Sequence, residues 1–367
     1  MRIVWFAHSL VSDWNHGNAH FLRGVVRELA ARGHDIDVYE SRSAWSRSEL
    51  VKDQGEATLG EFRRAFPALR PRLYDLETID VRGETHDADL VVVHEWNDPW
   101  LVNEVGRVRA NGAGFLLLFH DTHHRAVTAP EQMERLALAP YDGVLAYGGA
   151  LRDVYLERGW ARHVWVWHEA ADVDLFRPLP SARREADVVW IGNWGDEERT
   201  RELDEFLIEP VRSLGLTGSV YGVRYPSDAI RRLERAGLRY GGWVPNHRVP
   251  ALFARHSATV HVPRRPYVEA LPGIPTIRPF EALACGIPLV SAPWRDVEGL
   301  FEPGRDFLLA RDGDEMQQHL ASVLSDAERA SSLAQHGRQT ILARHTCAHR
   351  ADDLLAIVHE LEQAEAA

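Results

Sequence analysis

Residues 263–291, PRRPYVEALPGIPTIRPFEALACGIPLVS, carry the most structural information in the chain. An apolar run, SATVHV, ends just before them, and a loop rich in Gly and Pro follows from Leu271 to Thr276. We expect a helix to begin at this loop and to end at Gly286, because glycine is common just beyond a helix C-terminus. The next apolar run, IPLVSA, predicts another strand, so the order is strand, loop, helix, strand.

The start of this predicted helix suits a diphosphate. Backbone N–H groups and the positive end of the helix dipole attract anions there, and Arg278 lies in the first turn. Glu281, about one turn later, can accept hydrogen bonds from a ribose diol, as an acidic residue does in dinucleotide-binding folds. The loop residues included in this predicted nucleotide site are Gly273, Ile274, Pro275 and Thr276.

Short apolar runs alternate with amphipathic segments along most of the chain. RIVWFAH, DIDVYE, DLVVVHE and GFLLLFHD are typical of strands buried on both faces of a parallel sheet. This alternation is interrupted at 168–187, a segment that contains two prolines, and it resumes at DVVWIGNW. We therefore predict an α/β protein with two Rossmann-like, doubly wound domains, residues 1–170 and 171–346, that face one another across a cleft, and a C-terminal helix within 347–367.

Composition excludes several kinds of chemistry. The 367 residues include 42 basic side chains, of which Lys52 is the one lysine, so a Walker phosphate loop and a pyridoxal site are both improbable. Two cysteines, Cys285 and Cys347, give no disulfide framework and no CxxC pair, which predicts a cytoplasmic protein. No apolar run approaches the ~20 residues of a membrane helix, although peripheral membrane contact stays open.

The charge distribution favours a small anionic ligand. A net charge of −12 argues against nucleic acid as a partner, since polyanion binding depends on clustered Lys and Arg. Residues 219–280, however, hold ten arginines against three acidic residues, a formal charge of +7 that leaves −19 for the rest. Three of these arginines, at 231, 232 and 235, fit equally well on a solvated helix face.

The run RPFEALACGIPLVS resembles the donor-nucleotide motif of GT-B glycosyltransferases in the large family-four clan, particularly the spore-maturation-protein-like branch. Further resemblances are ELAARGHDIDVYE, the linker EAADVDLFRP, VVWIGNWGDEERTREL and GGWVPNHRVPALFARHSATVHVP. The resemblance implies the GT-B fold, in which the C-terminal helix crosses back to the first domain. It also implies a nucleotide-sugar donor and no cofactor.

By this resemblance, Glu281 binds the donor ribose. Trp243 and Val244 pack on the base, and the loop 192–199, with Asn193 and Arg199, lies beside the diphosphate. The chain departs from the clan at one position. The clan has two glutamates eight positions apart, the first touching the transferred sugar, and eight positions before Glu281 is Gly273.

The predicted N-terminal domain supplies further candidates. Gly17, at the end of the polar loop that includes His16, lies at a helix N-terminus, where capping and contact with an acceptor or sugar phosphate are both natural. His120 and Asp121 end a predicted strand, where side chains point to a ligand crevice. By resemblance, His120 contacts the donor sugar and phosphate, and we include Asp121 and His16 as catalytic candidates.

Other polar groups are weaker candidates. His94 and Glu95 also end a strand, whereas Glu95, Asp98 and Asp13 are carboxylates that more often cap helices or form ion pairs than act as general bases. His16 and His20 are spaced four apart without an HExxH motif, and the Asp-x-Asp pairs fall in unrelated segments. We predict no metal.

The sequence thus predicts a retaining, metal-independent glycosyltransferase that moves a sugar from a nucleoside-diphosphate sugar to a hydroxyl acceptor, either a small molecule or a glycan. Charge on the leaving diphosphate would be stabilised by the helix start and arginines. Two alternatives stay open: a GT-B nucleotide-sugar epimerase, and a non-catalytic protein that binds nucleotide sugar or glycan. The arginines in this prediction are Arg199, Arg264, Arg265 and Arg278.

Overall fold

The computed structural model describes residues 1–179 and 183–366. It divides into two compact units, Met1–Glu169 with Cys347–Ala367 and Ala170–Thr346. Residues 180–182 of the predicted linker and residue 367 lie outside the described residues. We call the two units unit 1 and unit 2.

Unit 1 is built on a parallel sheet of seven strands in the order β3-β2-β1-β4-β5-β6-β7. The strands are β1 (Arg2–Ala7), β2 (Asp35–Ser41), β3 (Arg72–Tyr74), β4 (Leu90–His94), β5 (Leu116–Asp121), β6 (Gly143–Ala146) and β7 (Val164–Val166). The helices are α1 (Asn18–Ala31), α2 (Trp45–Gln54), α3 (Ala57–Ala65), α4 (Val81–Thr85), α5 (Pro99–Ala110), α6 (Arg125–Thr128), α7 (Pro130–Met133) and α8 (Gly149–Glu157).

Unit 2 repeats the plan with a parallel sheet of six strands in the order β10-β9-β8-β11-β12-β13. The strands are β8 (Ala186–Ile191), β9 (Gly218–Tyr221), β10 (Leu238–Tyr240), β11 (His256–His261), β12 (Leu289–Ser291) and β13 (Leu308–Leu309). The helices are α9 (Thr200–Leu203), α10 (Glu209–Ser213), α11 (Ser227–Arg235), α12 (Val249–Ala254), α13 (Arg265–Glu269), α14 (Ile277–Cys285), α15 (Gly313–Ser325) and α16 (Ala327–Arg344). A π-helix, Asp204–Ile208, joins α9 to α10, and a 3-10 turn, Asn246–Arg248, precedes α12.

The central strands are apolar because helices cover both faces of each sheet. Every residue of β4 is buried, and so is every residue of β5. In unit 2, α14 is buried along almost its whole length and packs Phe280 and Leu283 into a core that also holds Phe253 and Ile341. The carboxyl ends of these strands are therefore anchored in a packed core.

The last helix, α17 (Cys347–Ala366), belongs to unit 1, where it packs on α1. Its Arg350 ties it to the segment after β7. The Nε of Arg350 donates to the carbonyl of His168 at 2.9 Å, and Nε1 of Trp167 donates to the carbonyl of Arg350 at 2.9 Å. No helix in the described residues is both long and apolar enough to cross a bilayer.

The predicted α/β class with two doubly wound parallel sheets is confirmed. Gly286 ends α14 in the left-handed conformation, with φ 65° and ψ 36°, as the sequence predicts. Residues 42–75, for which the sequence predicts no element, contain α2, α3 and β3. In unit 2 the helical segment 200–213 is interrupted by the π-helix.

Candidate functional site

The strand order of unit 2 reverses between β8 and β11, and the crevice at such a reversal is where open α/β sheets bind ligands. The loop after β8 begins at Gly192, and β11 ends at His261. The loop before α14 and the first turn of that helix supply the remaining candidates. Apart from Gly17, which lies in unit 1, the nucleotide-site residues predicted from the sequence thus belong to segments of unit 2.

Helix α14 carries a charged pair near its start. Glu281 has no exposed surface, and its carboxylate accepts a hydrogen bond from the guanidinium of Arg278, whose side chain is 23% exposed. Thr276, just before the helix, has φ 58°, which is strained for a β-branched residue. A buried carboxylate beside a partly exposed cation is a suitable group for a polar ligand.

Gly273 has φ 95°, a conformation that residues with a side chain rarely adopt. A Cβ there would lie 2.8 Å from Cγ2 of exposed Val297 and 3.0 Å from Oε1 of Glu298, so both side chains would have to shift. The glutamate that the clan carries at this position would therefore be strained here. A carboxylate from another segment, that of Glu298, lies at this loop instead. Ile274 and Pro275 are buried beside it.

All four predicted diphosphate arginines have partners within unit 2. Arg264 pairs with Glu198 at 3.0 Å, and Arg265 pairs with Glu202 at 3.2 Å. The +7 window is therefore partly compensated by acidic residues that lie outside it in sequence. Arg199 differs from the other three because, among the described residues, its hydrogen bonds go to main-chain oxygens and to no carboxylate.

Arg199 joins two loops of the crevice. Its Nη1 donates to the carbonyl of Val262 at 3.0 Å and its Nη2 to the carbonyl of Asn193 at 2.6 Å. Burial, with a smaller contribution from Arg264, lowers the pKa of Arg199 to about 9. Oδ1 of Asn193 accepts from the amide of Val223 at 3.1 Å. These contacts give Arg199 a positioning role.

His261 is a site residue that the sequence did not single out. Its Nδ1 contacts Oγ of Ser291 at 2.9 Å, whereas its Nε2 is buried with no hydrogen-bond partner among the described residues. Burial, with smaller contributions from Arg199 and Arg278, lowers the pKa of His261 to about 3. The imidazole of His261 is therefore neutral and lies near Arg199 and Arg278. Its position at the C-terminal end of β11 is the sequence feature that could have identified it as a site residue.

Trp243 and Val244 follow β10, which is the edge strand of the unit 2 sheet on the side of β9. Val244 packs against the core around α12 and α14. Trp243 is half-buried, and its Nε1 has no hydrogen-bond partner in the described part of the chain. Their assignment to the base stays a prediction.

In unit 1 the strand order reverses between β1 and β4, and four histidines gather at that edge. The ring centroids are 5.0 Å apart for His8 and His16, 5.8 Å for His16 and His94, and 5.2 Å for His94 and His120. All four are buried, and His120 packs edge-on against Trp167 at 4.9 Å. We call these four residues the histidine cluster.

The histidine cluster is neutral at physiological pH. Burial lowers the pKa of His120 to about 3, and burial with a contribution from Arg125 lowers that of His8 to about 4. Burial also lowers the pKa of His16 and His94 well below the usual value. Both ring nitrogens of His120 lack partners among the described residues. Such imidazoles suit uncharged hydroxyl groups.

Asp121 faces away from the histidine cluster, because successive strand residues point to opposite faces. Its Oδ2 accepts from the hydroxyl of Tyr155 at 2.6 Å, and its Oδ1 accepts from the amide of His123 at 2.9 Å. These contacts indicate an anchoring role. The catalytic assignment of Asp121 stays a prediction.

The structure confirms that the other carboxylates cap or pair. Asp98 caps α5 by accepting from the amide of Trp100 at 2.8 Å. Glu95 pairs with Arg125, and burial raises the pKa of Glu95 against the opposing effect of that cation. Asp13 pairs with Arg23 at 2.9 Å.

Gly17 is the N-cap residue of α1, and no side chain caps this helix end. Asn18 begins the helix, and its Nδ2 donates to Oε1 of Glu169 at 3.1 Å. Capping by a side chain is therefore not the role of this loop end. The contact of Gly17 with an acceptor stays a prediction.

The loop that carries His8 and His16 is fixed by two buried charges. Arg23, which is 2% exposed, donates to the carbonyls of Leu10 and Val11 at 2.8 and 2.9 Å. The carboxylate of Glu40 accepts from the amides of the same two residues at 2.8 and 3.0 Å. Neither residue was singled out in the sequence, where an arginine in an amphipathic helix is typical of a solvated face.

Metal ligation finds no support in the described residues, where no group of three or more His, Cys, Asp or Glu side chains is arranged to hold a metal ion. The predicted metal independence is not tested by this observation.

Replacing His8 by asparagine is expected to flatten the acid limb of the stability curve. The pKa of His8 is about 4 in the folded chain, below the usual 6.5, so the unfolded chain binds the proton first. Stability is therefore complete above about pH 6.5 and is lost as the pH falls towards 4, by about 1.4 kcal/mol per pH unit for each such histidine. Urea denaturation at several pH values measures this slope. Exposed His86 provides the control, and a slope equally reduced by His86→Gln would contradict this account.

Comparison with known proteins places these observations in context. A family described as "Glycosyl transferase-like" matches residues 199–356, which include α14 and its charged pair. No curated protein matches the chain. The solved structures similar to it are 10–15% identical, and such a likeness concerns the fold.

Three of these structures cover nearly the whole chain. Sucrose-phosphate synthase from Thermosynechococcus elongatus is 15% identical with a TM-score of 0.68, covering 99% of this chain and 100% of that one. Anabaena HepE, solved with UDP and glucose, is 15% identical with a TM-score of 0.70, covering 98% and 99%. An alpha-glucosyltransferase, solved with UDP and a DNA containing an HMU base, is 11% identical with a TM-score of 0.67, covering 98% and 99%.

The comparisons do not distinguish the spore-maturation-protein-like branch, which stays a prediction. The two parallel sheets, the whole-chain likeness to these structures and the matched family nevertheless agree with one another. The fold is the GT-B fold of two Rossmann-like units, and residues 199–356 match the glycosyl transferase-like family.

Proposed function

We propose that the chain transfers a sugar, with retention of configuration and without an essential metal or cofactor, from a nucleoside-diphosphate sugar to a hydroxyl group of a small molecule or glycan. The observation that carries this proposal is the pair of buried Glu281 and partly exposed Arg278 near the start of α14. It lies inside the matched glycosyl transferase-like region. The UDP bound by HepE and by the alpha-glucosyltransferase supports a nucleotide donor.

In this proposal, Glu281 accepts hydrogen bonds from the ribose hydroxyls, and Arg278 moves from the carboxylate to the diphosphate. The exchange leaves both charged groups hydrogen-bonded, Glu281 to neutral hydroxyls and Arg278 to the diphosphate, which matters because a buried charge without partners is strongly unfavourable. Arg264 and Arg265, which pair with Glu198 and Glu202 here, add positive charge to the leaving group. Arg199 holds the loop beside them.

The chemical step exchanges one bond for another. The acceptor oxygen forms a bond to the anomeric carbon, and the bond from that carbon to the diphosphate oxygen breaks. The diphosphate leaves with the electron pair and takes the acceptor proton on the same face of the sugar. No protein nucleophile is required, which agrees with the ion-paired and capping roles of Asp13, Glu95 and Asp98.

The remaining site residues have the following roles in the proposed reaction. Glu298, which lies where a side chain at position 273 would be, supplies the carboxylate for the transferred sugar. Trp243 and Val244 pack on the base. In unit 1, His120 and His16 contact sugar hydroxyls, Gly17 approaches the acceptor, and Asp121 anchors the strand end. The buried, unbridged cysteines support a cytoplasmic location.

A donor panel tests the proposal. We expect one member of a set of UDP-, GDP-, dTDP- and ADP-sugars to release its diphosphate faster when an acceptor is added. We also expect EDTA to change that rate by less than about twofold, because Arg278 and the helix start supply the charge that a metal would otherwise supply. Diphosphate release coupled to a colorimetric phosphate assay is the measurement.

The panel also separates the alternatives. Binding without turnover for every donor would favour a non-catalytic binding protein. Conversion of one sugar nucleotide into its epimer, without diphosphate release stimulated by an acceptor, would favour the epimerase. Complete loss of activity in EDTA, restored by added Mg²⁺, would refute the metal-independent mechanism alone.

A further inference from the structure

Unit 1 contains a cavity of about 660 Å³ whose lining includes no residue of the histidine cluster. This volume is within the range of about 300–1,000 Å³ that small-molecule pockets occupy. It is formed mainly by α3 and the segment between α3 and β3, the region for which the sequence predicts no element. We call it the α3 cavity.

The floor of the α3 cavity is apolar and firmly packed. Phe62 and Phe66 are 5% and 6% exposed, and the guanidinium carbon of buried Arg23 lies 5.0 Å from the centroid of each ring. Both rings therefore contact the Arg23 guanidinium and also line the cavity. The other apolar side chains of the floor are Val11, Leu59, Leu69 and Leu73.

The rim is positively charged. Arg47, Arg63 and Arg70 line it, against one acidic residue, Glu56. Arg47 already pairs with Glu40 at 3.4 Å. Arg63 and Arg70 form no ion pair within residues 1–179 and 183–366, so their charge is available to a ligand.

The cavity adjoins the loop that carries the histidines. Val11 lines the cavity, and its amide and carbonyl are held by Glu40 and Arg23. His8 and His16 come from the same loop, three residues before and five residues after Val11. A molecule seated in the cavity therefore lies beside the loop whose other residues form the neutral histidine cluster.

We propose that the α3 cavity binds the acceptor, and that the acceptor is an amphipathic molecule with an apolar body, one anionic group and a free hydroxyl. The apolar body covers the phenylalanine floor, and the anionic group pairs with Arg63 and Arg70. The hydroxyl oxygen forms the new bond to the anomeric carbon, and its proton leaves on the departing diphosphate. This inference rests on the proposed function and names its acceptor class.

A single molecule fits this site better than a membrane surface does. The floor centres on three buried side chains, Phe62, Phe66 and Leu69, and none of the large exposed apolar residues of the described chain lines the cavity. Membrane contact would need apolar side chains that project outwards. The occupant is therefore one amphiphile, and membrane binding is an outcome that the test separates.

Binding of three decyl compounds to the full chain tests the headgroup preference. Isothermal titration with decyl phosphate, decanol and decyltrimethylammonium is expected to give the highest affinity for the phosphate. The double variant Arg63→Glu/Arg70→Glu is expected to weaken decyl phosphate binding by about tenfold or more and to favour the cationic compound. Leu59→Trp, which narrows the cavity beside the phenylalanine floor, is expected to weaken the phosphate and the alcohol alike.

Arg64→Glu is the matched control, because Arg64 is exposed on α3 next to Arg63 and does not line the cavity. Equal affinity for the three headgroups, or an equal effect of Arg64→Glu, would overturn the proposal. So would sedimentation with anionic phosphatidylglycerol vesicles, lost in the double variant, when monomeric decyl phosphate does not bind.

UDP titrations in the same samples separate this proposal from the proposed function. If the cavity is not the acceptor site, UDP binding is retained while an ω-hydroxy fatty acid of the same chain length yields no glycosylated product by mass spectrometry. If the glycosyltransferase proposal is wrong, no nucleotide diphosphate binds unit 2, whatever decyl phosphate does. Glycosylation of the hydroxy fatty acid by the wild-type chain, lost in Leu59→Trp with UDP affinity unchanged, is the expected result.

Discussion

Replacing Glu281 by glutamine is expected to weaken UDP binding by about 30-fold, or about 2 kcal/mol. The carboxylate of Glu281 is fully buried and pairs with Arg278 in the first turn of α14. Glutamine keeps the size of the side chain and one acceptor oxygen, but it removes the charge that strengthens hydrogen bonds to ribose hydroxyls. It also leaves Arg278 without its anionic partner in the unliganded chain.

Isothermal titration with UDP measures this loss, and urea denaturation measures the accompanying change in the free energy of unfolding. The matched control is Glu302→Gln, which removes an exposed pair of the same spacing, Arg305 with Glu302 at 2.5 Å. Exposed pairs contribute about 0–1 kcal/mol, so the control is expected to change little. Unchanged UDP affinity in a folded Glu281→Gln variant would mean that the ribose binds elsewhere.

The order of elements around α14 could be predicted because each step depends on local chemistry. An apolar run, a Gly- and Pro-containing loop and a terminal glycine specify strand, loop and helix within one stretch of sequence, and the structure contains all three. Arg278 and Glu281 could be predicted as neighbours for the same reason, since residues three apart meet on a helix face.

The surroundings of these residues could not be predicted, because they depend on contacts between distant segments. Nothing in the sequence near Gly273 indicates that Glu298 lies over it, or that Arg264 and Arg265 are paired with Glu198 and Glu202. The formal charge of +7 for residues 219–280 is therefore correct, but it overestimates the positive charge that is not already paired with acidic residues.

The segment that forms the α3 cavity was missed for a different reason. Residues 45–65 are polar on average, and their helices are short, so they show neither the long apolar stripe of a core helix nor the apolar run of a buried strand. Their buried apolar anchors are Leu50 and Phe62, and Phe66 follows directly after α3; two aromatic residues four apart are weak evidence for a helix alone. The positions of Phe62 and Phe66 depend on contacts with Arg23, which is distant in sequence, and the local sequence does not specify these contacts.

Replacing Arg23 by methionine is expected to lower the free energy of unfolding by about 3–5 kcal/mol, because it leaves the partners of a buried charge unsatisfied. Arg23 donates to the carbonyls of Leu10 and Val11 and pairs with the buried carboxylate of Asp13 at 2.9 Å. Methionine can fill the apolar space against Phe62 and Phe66 but donates no hydrogen bond.

Urea denaturation of Arg23→Met, beside Arg64→Met as the exposed control, measures this loss. The double variant Arg23→Met/Asp13→Asn removes the unpaired carboxylate, so it is expected to recover part of the stability, and a double variant no more stable than the single one would argue against the buried charge as the cause. Because the same side chain fixes Val11 above the α3 cavity and the loop that carries His8, we expect the single variant to lose decyl phosphate binding while UDP binding to unit 2 is retained. Loss of both at a urea concentration where the chain remains folded would mean that Arg23 acts on more than its own loop.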